Sequence, residues 1–233
     1  TLSAVLPGSP PPVGELSDTE RVVVDPAGNA TLVWRHVTAA SLSLAETRQL
    51  SAAGTLGTTQ VLTAAGDTSQ SHAVAVDDAG RARITWVEHT AAGSDPFLPL
   101  TCFSAVGSSC GAKLTLGPGP SLSTSIAVGP AGDALVGFAA SGTAPGQVRV
   151  LPRPGGGPAL AARTLGPAAQ LPLLGADIEG NGVAVWDEGG AARAEGFDNA
   201  PPVVQALSIP AVIERTDPVA ATATARRRAT ATS

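Results

Sequence analysis

The sequence predicts an all-β protein: a β-propeller of about four four-stranded blades with a period of about 50 residues. Three observations carry that prediction. First, one hairpin is written four times, as "VVVDPAGNATLVW" (22–34), "VAVDDAGRARITW" (74–86), "IAVGPAGDALVGF" (126–138) and, with a weaker first strand, "GADIEGNGVAVW" (175–186). Second, the turn glycines Gly28, Gly80, Gly132 and Gly180 are spaced 52, 52 and 48 residues apart. Third, an aromatic stands six positions after each glycine: Trp34, Trp86, Phe138 and Trp186, which include all 3 tryptophans of the chain. Four antiparallel strands in a unit of this length describe a propeller blade. A β-solenoid usually has shorter coils, and an immunoglobulin-type sandwich needs about seven strands in 100 residues.

Within a copy, an apolar run with β-branched residues (Val22 to Val24, or Ala73 to Val76) makes the first strand. Asp25 or Asp77 can accept hydrogen bonds from the backbone N–H groups of the turn, and the fourth copy keeps Asp177. The glycine supplies a positive φ that other residues resist. The second strand alternates, with Ala30, Leu32 and Trp34 on one face and Thr31 and Val33 on the other. A ring in the same slot of every copy is the expected adhesive between stacked units.

Two further strand-like runs follow each of the first three copies: "SLSLAETRQLS" and "TTQVLT", then "FLPLTCFSAV" and "AKLTLG", then "GQVRVLPR" and "ALAARTL". The fourth copy continues with only one, "ARAEGF", before Pro201-Pro202. Residues 1–6 precede copy one as "TTQVLT" precedes copy two, so residues 2–6 are placed to close the last blade and remove two exposed edges. The alternative is a stretch of a larger ring. The expected propeller covers 1–198, with blades at about 20–70, 71–122, 123–171 and 172–198 plus 1–6.

Composition narrows the function. Apolar residues make up 43% of the chain but aromatics only 3%, so Val, Leu, Ile and Ala fill most of the core. The formal net charge is −5, and setting aside Arg226, Arg227 and Arg228 leaves −8 (−5 less 3). Such an acidic body argues against nucleic acid, whose binding needs a basic surface. No stretch approaches the roughly 18 apolar residues of a membrane helix. With no Met and no visible signal peptide, the chain reads as a processed or excised piece. Cys102 and Cys110 flank a Gly-Ser turn in "TCFSAVGSSC", an arrangement that suits a cross-hairpin disulfide and an oxidising, extracellular or cell-surface location. Two thiolates with no His nearby cannot complete a zinc shell.

The motif V-x-V-D-x-x-G-N, here Val22, Val24, Asp25, Gly28 and Asn29, resembles the hairpin of the NHL and related bacterial propeller repeats. Asp77 and Gly80 match in copy two; copy three has Gly129 in the Asp slot, and copy four has Ala176 before Asp177. The resemblance spans roughly residues 1–198. It implies a propeller of the secreted or surface class, and the Ala-, Gly- and Pro-rich spelling looks like that of a high-GC bacterium. Residues 199–233 resemble the opening of a PKD-type immunoglobulin-like domain that is incomplete here and ends in a disordered tail.

Few residue groups suggest chemistry. Sialidase propellers carry Asp-containing hairpins, S-x-D-x-G-x-T-W, with Asp two before Gly and Trp three after it. Here Asp25 lies three before Gly28 and Trp34 six after. The chain also has no Tyr, the residue those enzymes use as nucleophile. No G-x-S-x-G elbow leads from a strand into a helix, and Gly155-Gly156-Gly157 lacks the Lys-Ser/Thr of a phosphate loop. The turn D-P-A-G-N lacks the alternating oxygens of a calcium loop. No metal or cofactor is expected. His36, Glu88, His89, Asp187 and Glu188 stand at the ends of second strands, at a blade rim, and form the candidate ligand-binding set. The expected function is a non-catalytic scaffold or binding module for a protein or glycan. The rival is a glycoside hydrolase or lyase using the rim carboxylates and histidines, which would need two of the five to converge within about 6 to 9 Å.

Overall fold

The computed structural model of the protein describes residues 16–90, 98–117, 121–140, 146–151, 158–166, 171–198, 204–208 and 222–225, and among them there are strands and turns but no helix. The first sheet contains β1 (Leu16–Val24), β2 (Ala30–Val37), β3 (Ser43–Leu50) and β4 (Gln60–Val61), paired in that order. The second repeats it with β5 (Thr68–Val76), β6 (Ala82–His89), β7 (Leu98–Ser104) and β8 (Leu114–Thr115). The third holds β9 (Ser121–Val128), β10 (Ala134–Ala140), β11 (Gly146–Leu151) and β12 (Arg163–Gly166). The fourth contains β13 (Leu173–Ala176), β14 (Gly182–Glu188) and β15 (Ala191–Phe197). Every pairing is antiparallel and follows chain order, so each sheet is a meander.

The four β-turns between first and second strands are built alike. The glycine donates its N–H to the carbonyl of the residue three before it, at 2.9, 3.0, 2.9 and 3.1 Å in turn. That earlier residue donates to the carbonyl of the residue after the glycine. Gly28, Gly80, Gly132 and Gly180 have φ of +86°, +75°, +94° and +87°, a region that a Cβ disfavours. The aspartates fill the turn. Asp77 Oδ1 accepts the N–H groups of Ala79 and Arg81 at 3.0 and 2.8 Å, and Asp177 Oδ1 those of Glu179 and Asn181 at 2.8 and 2.9 Å. Copy three keeps the turn with Gly129 in the Asp slot.

Successive sheets stack face to face through the repeated aromatic. Trp86, with Ile84, Leu100 and Cys102, packs on Val33, Ala45 and Leu62 of the first unit. Phe138, with Ala134 and Val136, packs on Leu116 of the second. Trp186, with Ala184 and Phe197, packs on Leu135, Val148 and Val150 of the third. The first strands lie side by side, β1 beside β5, β5 beside β9 and β9 beside β13. This inner row is bulged: register shifts fall at Asp18/Arg21 in β1 and Gln70/His72 in β5. At the second bulge Ser71 takes φ +50°, and its Oγ accepts the N–H of Thr124 at 3.0 Å, tying β5 to β9.

Cys102 and Cys110 form a disulfide with Cα atoms 5.8 Å apart, inside the ordinary range. Two glutamines of the first sheet hold the loop it closes. Gln49 donates to Ser104 Oγ and the Ala105 carbonyl, and accepts from Gly107 N–H at 3.0 Å. Gln60 accepts from Cys110 N–H at 2.7 Å and donates to the same residue's carbonyl at 3.3 Å.

The fold is all-β and propeller-like: sheets of three or four antiparallel strands in succession. No closed ring is formed by the described residues. Nothing comparable to the β1–β5 packing joins β13 to β1, and β15 has no fourth strand beside it among the described residues. Residues 2–6, expected to close the last blade, lie outside the described residues. So does most of 199–233, where β16 (Val204–Ser208) pairs with β17 (Thr222–Ala225). Arg226, Arg227 and Arg228 are also outside them.

Candidate functional site

The rim set is positioned by the second strands. Because side chains alternate along a strand, the residue two after the aromatic shares its face, the face that meets the preceding sheet in the second, third and fourth units. That slot holds His36, Glu88 and Glu188 in the first, second and fourth sheets. In the second it is filled as a structural joint. Glu88 is buried, and its Oε2 accepts the indole Nε1–H of Trp86 at 2.9 Å and Lys113 Nζ at 3.3 Å. Its Oε1 accepts the N–H of Ala64, in the connection from the first sheet, at 3.4 Å. Lys113 also sits 5.6 Å from the centre of a Trp86 ring. One carboxylate thus anchors an indole, an ammonium and the neighbouring blade's chain.

The equivalents differ. His36 Nδ1 lies 3.0 Å from Glu46 Oε1, on the adjacent strand β3. Glu188 Oε2 accepts from Arg193 Nε at 3.1 Å, and the indole Nε1 of Trp186 has no hydrogen-bond partner among the described residues. Asp187, on the opposite face from Glu188, caps the following turn by accepting the N–H of Gly190 at 3.2 Å. His89 ends β6, half-buried, opposite Thr68 in the ladder. The five residues therefore sit at the same end of three different sheets. For His36, Glu88, Asp187 and Glu188 the partners named here come from the same blade or the connection leading into it. Among the described residues no group of three or more His, Cys, Asp or Glu side chains is close enough to hold a metal ion.

A cleft of about 230 Å³ lies at the other end, between the first two sheets, where the turns stack. Asp25, Asn29 and Gln49 line one side, and Val76, Gly80 and Val106 the other. Its floor is tight: a Cβ on Gly80 would collide with the carboxylate of Asp25 and with Val106. Asp25 is held by Asn29, whose N–H and Nδ2 donate to it at 2.8 and 2.9 Å. The carboxyl lies below the ordinary carboxylate range, chiefly through the Asn29 side-chain bond and then the turn's N–H groups, against an opposing effect of burial. Gln49 did not stand out in sequence, because a glutamine on a strand carries no mark of the loop it meets 55 residues later.

Across the second and third turns, Asp78 N–H donates to the Pro130 carbonyl at 3.2 Å and Arg81 to the Ala131 carbonyl at 3.0 Å. Arg81 Nε also holds Asp77 at 2.7 Å. Arg83 lies beneath them near Asp77 and Asp133, its guanidinium 5.8 Å from the Phe103 ring. Burial lowers its pKa, and the two carboxylates oppose that effect.

No family model matches the sequence, and no curated protein does. Among solved structures the chain is similar to the Hadza microbial sialidase Hz136, with TM-score 0.53 and 10% sequence identity over 78% of this chain and 44% of that one. The chain thus spans less than half the length of that sialidase structure. At this identity the likeness is one of fold.

Proposed function

We propose that the protein is a non-catalytic, extracellular propeller-like module that binds a protein or glycan through its loops and interblade surfaces. The hairpins that resemble bacterial secreted repeats serve as its frame. The observation that carries the reading is the state of Glu88: the most deeply placed rim acid is an acceptor for Trp86 Nε1, Lys113 Nζ and Ala64 N–H, as a structural joint requires. A general acid or base needs instead to reach a substrate proton. Asp187 and Glu188 likewise serve a turn and an arginine. The disulfide supports an oxidising compartment. No helix of the described residues is long and apolar enough to cross a membrane.

The test is a glycan array probed with the 233-residue chain, followed by an assay for sugar release on every bound glycan and on sialylated substrates. The expected result is saturable binding of a glycan, or of a protein ligand in a parallel protein array, without release. Release of sugar above the uncatalysed rate overturns the proposal in favour of the hydrolase reading.

A further inference from the structure

We propose that a second copy of this chain docks head to tail, its first sheet seated on the free face of the fourth sheet. The three joints within the chain share one pattern. The later blade contributes an aromatic-bearing face, and the earlier blade receives it on the opposite face. Among the described residues one more face of each kind remains, and no described sheet covers either.

The receiving face is on the fourth sheet. The ladder puts Leu173, Val183, Val185, Ala192 and Ala194 on the side away from the third sheet. Leu173, Val183 and Val185 are 77%, 41% and 38% exposed, and both alanines are exposed. Their counterparts in complete joints are sealed. Val33 and Thr85 stand where Val185 does and are fully buried, as is Leu135, the counterpart of Val183. The aromatic-bearing face is on the first sheet, with Leu32 and Trp34 on β2 and Val22 and Val24 on β1. Val22 and Val24 are 61% and 60% exposed, whereas their third-sheet counterparts Ile126 and Val128 pack into the joint with the second. Trp34 is half-buried where Trp86 is wholly buried.

A second copy supplies the matching half of both faces, in the geometry the chain already uses three times. Such a contact joins two different patches. Repeated, it closes into a ring when the rotation permits and otherwise extends. By analogy with Ala184, which shares a cluster with Leu135, Val148 and Val150, Leu32 of one copy lies near Val183 and Ala194 of the other. The inference rests on sheet packing alone and stands apart from the ligand reading.

Sedimentation velocity over a concentration series tests it, and species of two or more 22.9-kDa chains are expected to form. Val22→Asp and Val185→Asp, both at exposed positions, should each leave a folded monomer, with circular dichroism unchanged. An oxidised mixture of Leu32→Cys and Val183→Cys chains should form a covalent dimer that neither variant forms alone. A wild-type monomer throughout the series overturns the proposal. So does a dimer untouched by either Asp substitution, or cross-linking of one Cys variant with itself.

Discussion

Trp86 and Trp34 occupy the same slot in successive copies and meet different surroundings. Trp86 is fully buried between two sheets, whereas Trp34 is half-buried and has no preceding sheet among the described residues. Trp86→Ala should cost about 3 to 5 kcal/mol, because it removes a large buried ring and leaves a cavity. Trp34→Ala should cost distinctly less when measured on dilute, monomeric chain by urea denaturation. Equal losses would contradict the stacking described. Asp25 gives a pH-dependent counterpart. Its folded pKa lies below the ordinary value, so its contribution is fully present above about pH 4 and is lost as pH falls through the depressed pKa. Asp25→Asn should therefore flatten the acid limb of stability, measured as the change in urea midpoint between about pH 6 and pH 3. The Asp–Gly turns were legible because the hydrogen bonds that close each turn lie within four residues. The burial of Glu88 was not: Lys113 lies 25 residues further on, and only the β6–β7–β8 meander brings it back.

The hairpins were legible as elements, because an apolar run, a positive-φ glycine and an alternating strand agree locally. The remaining strands were less so, for two physical reasons. Runs such as "TTQVLT" and "AKLTLG" look like full strands, yet β4 and β8 contain two residues each. They pair on one side only, so little holds the rest of either run in the ladder. The first strands run the other way, extending back through polar residues such as Ser69, Gln70 and His72. There a bulge and hydrogen bonds to neighbouring blades replace apolar alternation, as Ser71 does with Thr124. The disulfide staples a short hairpin whose tip the first sheet holds through Gln49 and Gln60. Reduction should cost about 2.5 kcal/mol by the loop-entropy relation. It should also raise amide exchange at Gly107 and Cys110, read by hydrogen-exchange mass spectrometry. Unchanged exchange at both amides would show that the glutamines hold the loop without the staple.

At the scale of the molecule, one joint is used three times and left half-made at each end of the described succession. The rim residues must be judged against that repetition, since stacking brings equivalent positions to one rim whatever their role. The succession of antiparallel sheets could be read from the period of glycine and aromatic. A ligand could not, because the copies agree on what builds the sheets and differ in loops whose partners are distant in sequence. The account turns on whether the strand-end acids build the blades or do chemistry, and Glu88 is its clearest case. Equilibrium urea denaturation of Glu88→Ala tests this most directly. Deleting the carboxylate leaves the buried Trp86 Nε1–H without its acceptor and removes the partner of Lys113, so stability should fall by about 1 to 3 kcal/mol. A stability equal to that of the unaltered protein would contradict the structural assignment of Glu88 and favour a role in chemistry.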